Sequence, residues 1–446
     1  MADPTTDLDT HHKALSINLD AKIYGSFAEI GAGQEVARWF LRVGAASGTV
    51  AKTISAYDKE VSDDLYGTGT RYVSRERLEA MLDREWELLL RQLGAARESH
   101  SRLFVFADTV SARNFAGTNE CHGWVGLRFQ TRPGGDPQDV VLHVNLMDHA
   151  NLLQQEAVGV LGVNLVHAAF HRRATYDEFL SALMDNLTAG RLEVDFIAFH
   201  GAELQAIDPR LAIIELARRG HAEAVVFPAD GRLLPPTDFL HGCPVLLEPG
   251  RFTTPSPLFG DMLTAAVGQL QTELDAEARP PASLYVLPIQ PDAASATALA
   301  PVEILRRVDR LRASGHGVLV SRRRELYRMS ELVNRFTTAP IRFVTGLSTL
   351  VAVFQDEDNQ ALAGSLLEAL ARLFARNVRV YAYPMRADVL AERLDASFIA
   401  GGEGAPTGAS LVTVDHLQPM FPYGHLYQYL LHTGFIVPLA PGAVRP

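Results

Sequence analysis

A chain of 446 residues has material for two or three domains of ~100–200 residues each, and its 47% apolar and 21% charged residues exclude a disordered chain. A net charge of −11 excludes a phosphate-backbone binder, so no nucleic-acid partner is expected. Two cysteines, Cys121 and Cys243, exclude a disulfide framework and a four-thiolate zinc site.

Residues 1–20 are acidic and polar and read as a flexible leader without a signal peptide or cationic presequence. The most apolar stretch, Ala157 to Phe170, is 14 residues long and too short to span a bilayer. No membrane partner and a cytoplasmic location are therefore expected. SFAEI, GAG and QEVARWFLRVG predict strand, tight turn and helix, with Gly44 as the stop. The glycine-bearing loop GAASGTV then leads into AKTISAYDKEV. From Ser74 to Arg97 the spacing of Leu78, Met81, Leu82, Trp86, Leu89 and Leu90 predicts one long helix capped by Ser74. RLFVFADTV, GWVGLRFQ and DVVLHVNL read as strands. The last two flank TRPGGDPQ and predict a hairpin.

Helices are expected over 151–170 and 175–188, followed by the strand VDFIAFHG, a helix opened by Pro209, and the strand AEAVVF. The charged, proline-rich TELDAEARPPAS predicts a boundary between an α/β domain at 21–275 and a second one at 284–446. In the second, SLYVLPI, PVEILRRVDRLRASGH, GVLVS, ELYRMSELVNRF, IRFVTG, a long helix around 359–376 and VRVYAYP alternate. The glycine-rich GGEGAPTGAS and a closing helix in HLYQYLLHTGFI end the chain. The fold class expected is α/β, with two Rossmann-like layers, an inserted β-hairpin and a long N-terminal helix.

Two glycine loops are candidate anion sites. At Gly31 and Gly33 a strand feeds a helix, and amides at a helix start can hold an anion. With Glu29 before the turn and Asp58 after the next strand-like run, the segment resembles the turn of S-adenosylmethionine-dependent methyltransferases. Glu35 stands in place of the third glycine, and Val36 breaks the dinucleotide pattern. The second loop departs from a Walker P-loop: three residues, not four, separate Gly44 from Gly48, and Lys52 comes late. A looser phosphate cradle from Gly48, Lys52 and Thr53 remains.

Arg128 and Arg251 are candidates for neutralising a bound anion, because a guanidinium grips phosphate or carboxylate in bidentate fashion. Arg322, Arg323 and Arg324 form a further basic patch suited to a phosphate. Asp108 and His200, at the ends of apolar runs, are candidate proton carriers, and His122 is a third. His167 and His171 share a helical spacing, but Ala168 replaces the glutamate of the zincin pattern and no third ligand follows, so no metal is expected.

YGSFAEIGAGQEVARWFLRVGAASGTVAKTISAYDKEVSDDLYG, with FADTV, NECHGWVGLRFQ, LLQQEAVGVLGVNL and HLYQYLL, resembles an uncharacterised bacterial protein family across nearly the whole chain. Its members carry automated labels such as TonB-dependent receptor or nicotinate-nucleotide adenylyltransferase. The residues support neither. A receptor barrel needs many alternating strands, and this chain is rich in helical patterns. The adenylyltransferase loop uses two histidines, and the aligned positions are Gly31 and Gln34. The reading is a soluble enzyme of the transferase type binding an anionic, nucleotide-like or phosphorylated small molecule, with the cofactor unknown. A non-catalytic scaffold or regulatory protein and a methyltransferase-like enzyme are the alternatives, and a homo-oligomer is compatible with either.

Overall fold

A computed structural model describes residues 9–441 except 70, 98, 255, 276, 291–298, 356–358, 360, 395–406 and 420–421. It divides into two units, Met1–Ala222 and Glu223–Pro446. The division does not fall at the proline-rich stretch. That segment is a connection inside the second unit, because the strands before and after it belong to one sheet.

The first unit runs α1 (Thr10–Leu19), β1 (Ile23–Gly31), α2 (Glu35–Arg42), β2 (Val50–Ile54), α3 (Lys59–Tyr66), α4 (Arg75–Arg97) and β3 (Arg102–Ser111). It continues through β4 (His122–Phe129), β5 (Gln138–Leu146), α5 (Asn151–His171), α6 (Tyr176–Met184), β6 (Leu192–His200) and α7 (Pro209–Arg219). Its six-stranded sheet has the order β2-β1-β3-β4-β5-β6. The pairs of β1 with β2 and β3 are parallel, whereas β4, β5 and β6 each pair antiparallel to the strand before. The expected hairpin is thus β4–β5, and it extends a parallel βαβ half into a mixed sheet.

Residues 10–19 are not a leader. They form α1, because Lys13 and Asn18 are buried as hydrogen-bonding anchors. Lys13 donates to Asn164 Oδ1 at 2.9 Å and pairs with Asp185 at 2.5 Å, while Asn18 donates to the carbonyls of Phe40 and Gly44. Residues 1–8 lie outside the described residues. One face of the sheet is covered by α2 and by α5, whose residues Ala157 to Phe170 are buried throughout. Gly162 of α5 abuts Val36 and Phe106. On the other face α4 packs Leu78 and Leu82 over Gly126, and the Ser74 hydroxyl caps α4 by accepting from the Arg77 amide at 3.2 Å.

The second unit contains β7 (Ala224–Phe227), α8 (Pro236–Leu240), β8 (Val245–Pro249), α9 (Pro257–Glu273), β9 (Ala282–Pro288), α10 (Pro301–Arg312) and β10 (Gly317–Ser321). Then come α11 (Leu326–Val333), β11 (Ile341–Gly346), α12 (Leu347–Gln355), α13 (Ser365–Leu373) and β12 (Val378–Tyr383). A two-stranded ribbon of β13 (Met385–Arg386) and β14 (Leu411–Val412) encloses α14 (Ala387–Ala391), and α15 (Gly424–His432) precedes β15 (Ile436–Pro438). The helix expected around 359–376 is the shorter α13, and most of the glycine-rich run at 401–410 lies outside the described residues.

The sheet order is β15-β12-β11-β8-β9-β10-β7. All neighbours from β15 to β10 are parallel, and β7 closes the edge antiparallel to β10. Counted along the chain, the six parallel strands take the order 3-2-1-4-5-6 of a doubly wound fold, whose direction of winding reverses between β8 and β11. Among the described residues no helix is long and apolar enough to cross a membrane.

Candidate functional site

The turn at Gly31 and Gly33 is filled by the protein itself. Glu29 accepts the amides of Val36 at 2.9 Å and Ala37 at 3.1 Å, so its own carboxylate occupies the anion position at the start of α2. The Ala32 amide goes to the Val110 carbonyl and the Glu35 amide to the Gly33 carbonyl. Gly31 has φ +75°, and a Cβ on Gly33 would lie 1.9 Å from Asp108 Oδ1. These glycines allow close packing against β3 and do not cradle a guest.

Asp108 is not a strand-end base. It lies inside β3, fully buried, and apart from a loose approach by the Ile30 amide its oxygens meet no partner among the described residues. Burial first, and then the adjacent Glu29, raise its pKa well above the ordinary carboxylate range. Glu29 is raised too, by burial and by Glu35, against the pull of its two amide donors. A cavity of about 430 Å³ beside α2 is lined by Glu29 and Thr53, so the fold does bring those two candidates together.

The second loop lies elsewhere. β1 and β2 are parallel, so the turn after β1 and the loop before β2 sit at opposite ends, ~20 Å apart by the register of Gly25 with Val50. The Gly48 and Thr49 amides bond within a short 3-10 turn at 46–48, which leaves no open phosphate cradle there. Lys52 is on the sheet face opposite Thr53 and pairs with the buried Glu85 of α4. Asp58 is the N-cap of α3, accepting the amides of Glu60 and Val61. Arg128 is held by Asp139 through two bonds of 2.8 Å and by Asp83 at 2.7 Å. Each of these side chains has a structural partner, and none of them lines the cavity beside α2 that Glu29 and Thr53 share.

His200 ends β6, which runs antiparallel to β3 through the intervening strands. Its register partner is Asp139, on the order of 15–20 Å from Asp108. The two candidate proton carriers do not share a cleft. His122 has different company. Its Nδ1 lies 3.0 Å from His143 Nε2, and His143 Nδ1 lies 2.6 Å from Asp195 Oδ1. Asn145 donates to the other Asp195 oxygen at 2.7 Å, and the ring of Trp124 packs 4.9 Å from that of His143. Burial, and then His143, push the His122 pKa down to about 4. Sequence reasoning missed His143 and Asp195. Their signal was a histidine and an aspartate inside otherwise apolar strand runs.

His167 and His171 stack with ring centroids 5.1 Å apart. Among the described residues, Asp9, His11 and His12 are the ligand-type side chains close enough together to share an ion; all are exposed, and Asp9 caps α1 by accepting the His12 amide at 2.8 Å.

In the second unit a cleft of about 420 Å³ opens at the carboxyl ends of β8, β9 and β10, beside the point where the winding reverses. Arg251 follows β8, Arg323 and Arg324 follow β10, and all three line it. A side-chain turn shapes the second pair: Ser321 Oγ accepts the Arg323 amide at 2.9 Å and donates to the Arg323 carbonyl at 3.0 Å. Phe252, next to Arg251, has a left-handed φ of +46° and packs its buried ring on Phe259 and Tyr285. Glu325 and Thr349 bring the first turns of α11 and α12 to the same cleft. At the end of β11 the buried Thr345 hydroxyl has no partner among the described residues. Arg323 pairs with Glu223 at 2.6 Å, and Arg324 approaches Glu325 at 3.6 Å.

No protein-family model matches the chain, and no curated protein matches it. Among solved structures it is similar to the competence/damage inducible protein CihA from Agrobacterium tumefaciens, at 20% identity over 38% of this chain and 98% of that one, with a TM-score of 0.26. A competence-damaged protein (CinA) superfamily member from Enterobacter cloacae is 13% identical over 38% of this chain and 98% of its own, with a TM-score of 0.28. A competence or damage-inducible protein from Enterobacter asburiae is 14% identical over 36% and 95%, with a TM-score of 0.26. Likeness at this level carries no argument about activity.

Proposed function

We propose that the second unit binds a phosphorylated, nucleotide-like small molecule in the cleft beside its winding reversal, and that the chain is an enzyme transferring a group to or from that ligand. The observation that carries this reading is the meeting of Arg251, Arg323 and Arg324 with the first turns of α11 and α12 in one cleft. Doubly wound sheets bind ligands beyond the carboxyl ends of their strands at such a point. Guanidinium groups and helix starts both favour phosphate oxygens. Transfer of a phosphate-bearing group depends mainly on positioning and electrostatic stabilisation, which a cleft of cations supplies without a dedicated nucleophile. The methyltransferase-like alternative loses its support, since Glu29 and Asp58 both serve helix starts.

Thermal melting of the full chain with ATP, NAD, a sugar nucleotide, inorganic phosphate, S-adenosylmethionine and adenosine tests the reading. A phosphate-bearing ligand at a hundredfold excess over its Kd stabilises by ~2.7 kcal/mol, a rise of roughly 5–10 °C for a unit of this size. Adenosine and S-adenosylmethionine should give no rise, and Arg251→Ala with Arg324→Ala should abolish the rise, measured against the unliganded Tm of the same variant. Flat melting curves across the panel would overturn the proposal in favour of the scaffold.

A further inference from the structure

Three side chains on three neighbouring strands form one hydrogen-bonded line on the α4 face of the first unit's sheet. Asp195 lies on β6, His143 on β5 and His122 on β4. The two inner members are buried. With His143 neutral, the donors and acceptors assign the tautomers. Asp195 accepts from Asn145 at one oxygen and from His143 Nδ1–H at the other. His143 Nε2 is then a lone pair, and the hydrogen in the 3.0 Å contact belongs to His122 Nδ1. His122 Nε2 is left as an imidazole lone pair. It makes no hydrogen bond within the described residues and is not among the buried unpartnered atoms. A bulge between His143 and Val144 in the pairing of β5 with β6 lets Asp195 reach His143, a device common beside working sites.

We propose that Asp195, His143 and His122 are a proton relay that makes His122 Nε2 the general base of a second catalytic site, in the first unit. In the step, the O–H bond of water or a substrate hydroxyl breaks and its electron pair stays on oxygen. The proton bonds to His122 Nε2 as the proton on His122 Nδ1 passes to His143 Nε2. Positive charge thus comes to rest on His143, beside the Asp195 carboxylate, and leaves the reacting oxygen facing a neutral imidazole. Burial keeps His122 unprotonated at neutral pH but also lowers its basicity, and passing its Nδ1 proton to His143 beside Asp195 is what offsets that loss.

The rim of this site is cationic. Arg75, paired with Glu79 at 2.7 Å, lies over the ring of Phe196, the register partner of His143, at 5.5 Å, and the charge of Arg71 acts on His122. The substrate class it favours is a small acyl compound carrying a negative charge.

The test uses the full chain and two activated esters, neutral p-nitrophenyl acetate and the anionic mono-p-nitrophenyl ester of succinate. The expected result is faster release of nitrophenol from the anionic ester. His122→Gln should lower it by about 10²-fold, the usual scale of general-base assistance. Arg71→Ala should bring the two esters to equal rates. Long-range ¹H–¹⁵N spectra of histidine-labelled protein should show His122 protonated at Nδ1, and Asp195→Asn should change that tautomer. A purely structural trio would affect melting alone. Unchanged ester rates in His122→Gln, or His122 protonated at Nε2, would overturn the proposal, and neither outcome bears on the cleft of the second unit.

Discussion

Glu29 and Asp108 are register partners on the parallel strands β1 and β3, two carboxyl groups side by side under α2. Both have their pKa raised in the fold, Glu29 from 4.5 to about 7. A carboxyl raised in this way contributes its stability below the unfolded pKa and loses it as pH climbs through the folded one. Stability should therefore fall from pH 4.5 to pH 7 and beyond, by about 3 kcal/mol for Glu29 alone. Asp108→Asn removes the second titrating group and should take away its own share of the fall at higher pH, leaving that of Glu29. Urea midpoints at a series of pH values measure it, and a wild-type midpoint that rises over the same interval contradicts the pairing.

The contact between Gly33 and Asp108 makes a sharper claim about the same spot. A methyl group at position 33 would overlap the Asp108 carboxyl, which is buried and cannot swing to solvent. Gly33→Ala should destabilise the first unit by about 1–3 kcal/mol, the scale of overpacking a core. Gly44→Ala makes a different comparison, because nothing lies within 4 Å of an added Cβ there and its φ of +89° is the whole cost. Chemical denaturation of the two variants separates steric overlap from backbone strain.

Lys52 and a ligand are separable by mutation. Because it pairs with Glu85, which also accepts from the Tyr66 hydroxyl, Lys52→Ala strands a buried carboxylate. Partial exposure of Lys52 moderates the cost to roughly 1–3 kcal/mol. The Tm should drop, while any shift caused by a phosphorylated ligand stays the same size. A ligand shift lost in this variant would return the site to the first unit.

Lys13→Met tests whether α1 belongs to the fold. Its ammonium is buried and bonded to Asn164, Asp185 and the Ala182 carbonyl. Leaving Asp185 without its cation should cost about 3–5 kcal/mol. A Tm equal to that of wild type would mean that α1 is dispensable.

Much of the fold was legible because pattern and burial coincide. The apolar runs at 102–111, 122–129 and 138–146 became β3, β4 and β5, and the periodic leucines of 75–97 became α4. What misled was polarity with a hidden partner. Lys13 and Asn18 look solvated until Asp185 and the Phe40 carbonyl are brought to them by distant segments. The boundary failed for a related reason: composition marks exposed chain, and an exposed connection between α9 and β9 can lie inside a unit. Among the site candidates, the place of Arg251 at the end of a strand could be read from the apolar run before it. Glycine spacing could not reveal that Glu29 folds back onto the amides it precedes, since that contact depends on the pitch of α2 against β1.

The rims of the second unit's sheet are unusually well closed. One edge strand, β15, is three residues long, and the other, β7, spans four and has its outer side engaged by a bridge from Val226 to Leu234. Little main chain is left over for another molecule to zip onto, so strand addition is a poor route for this unit to aggregate.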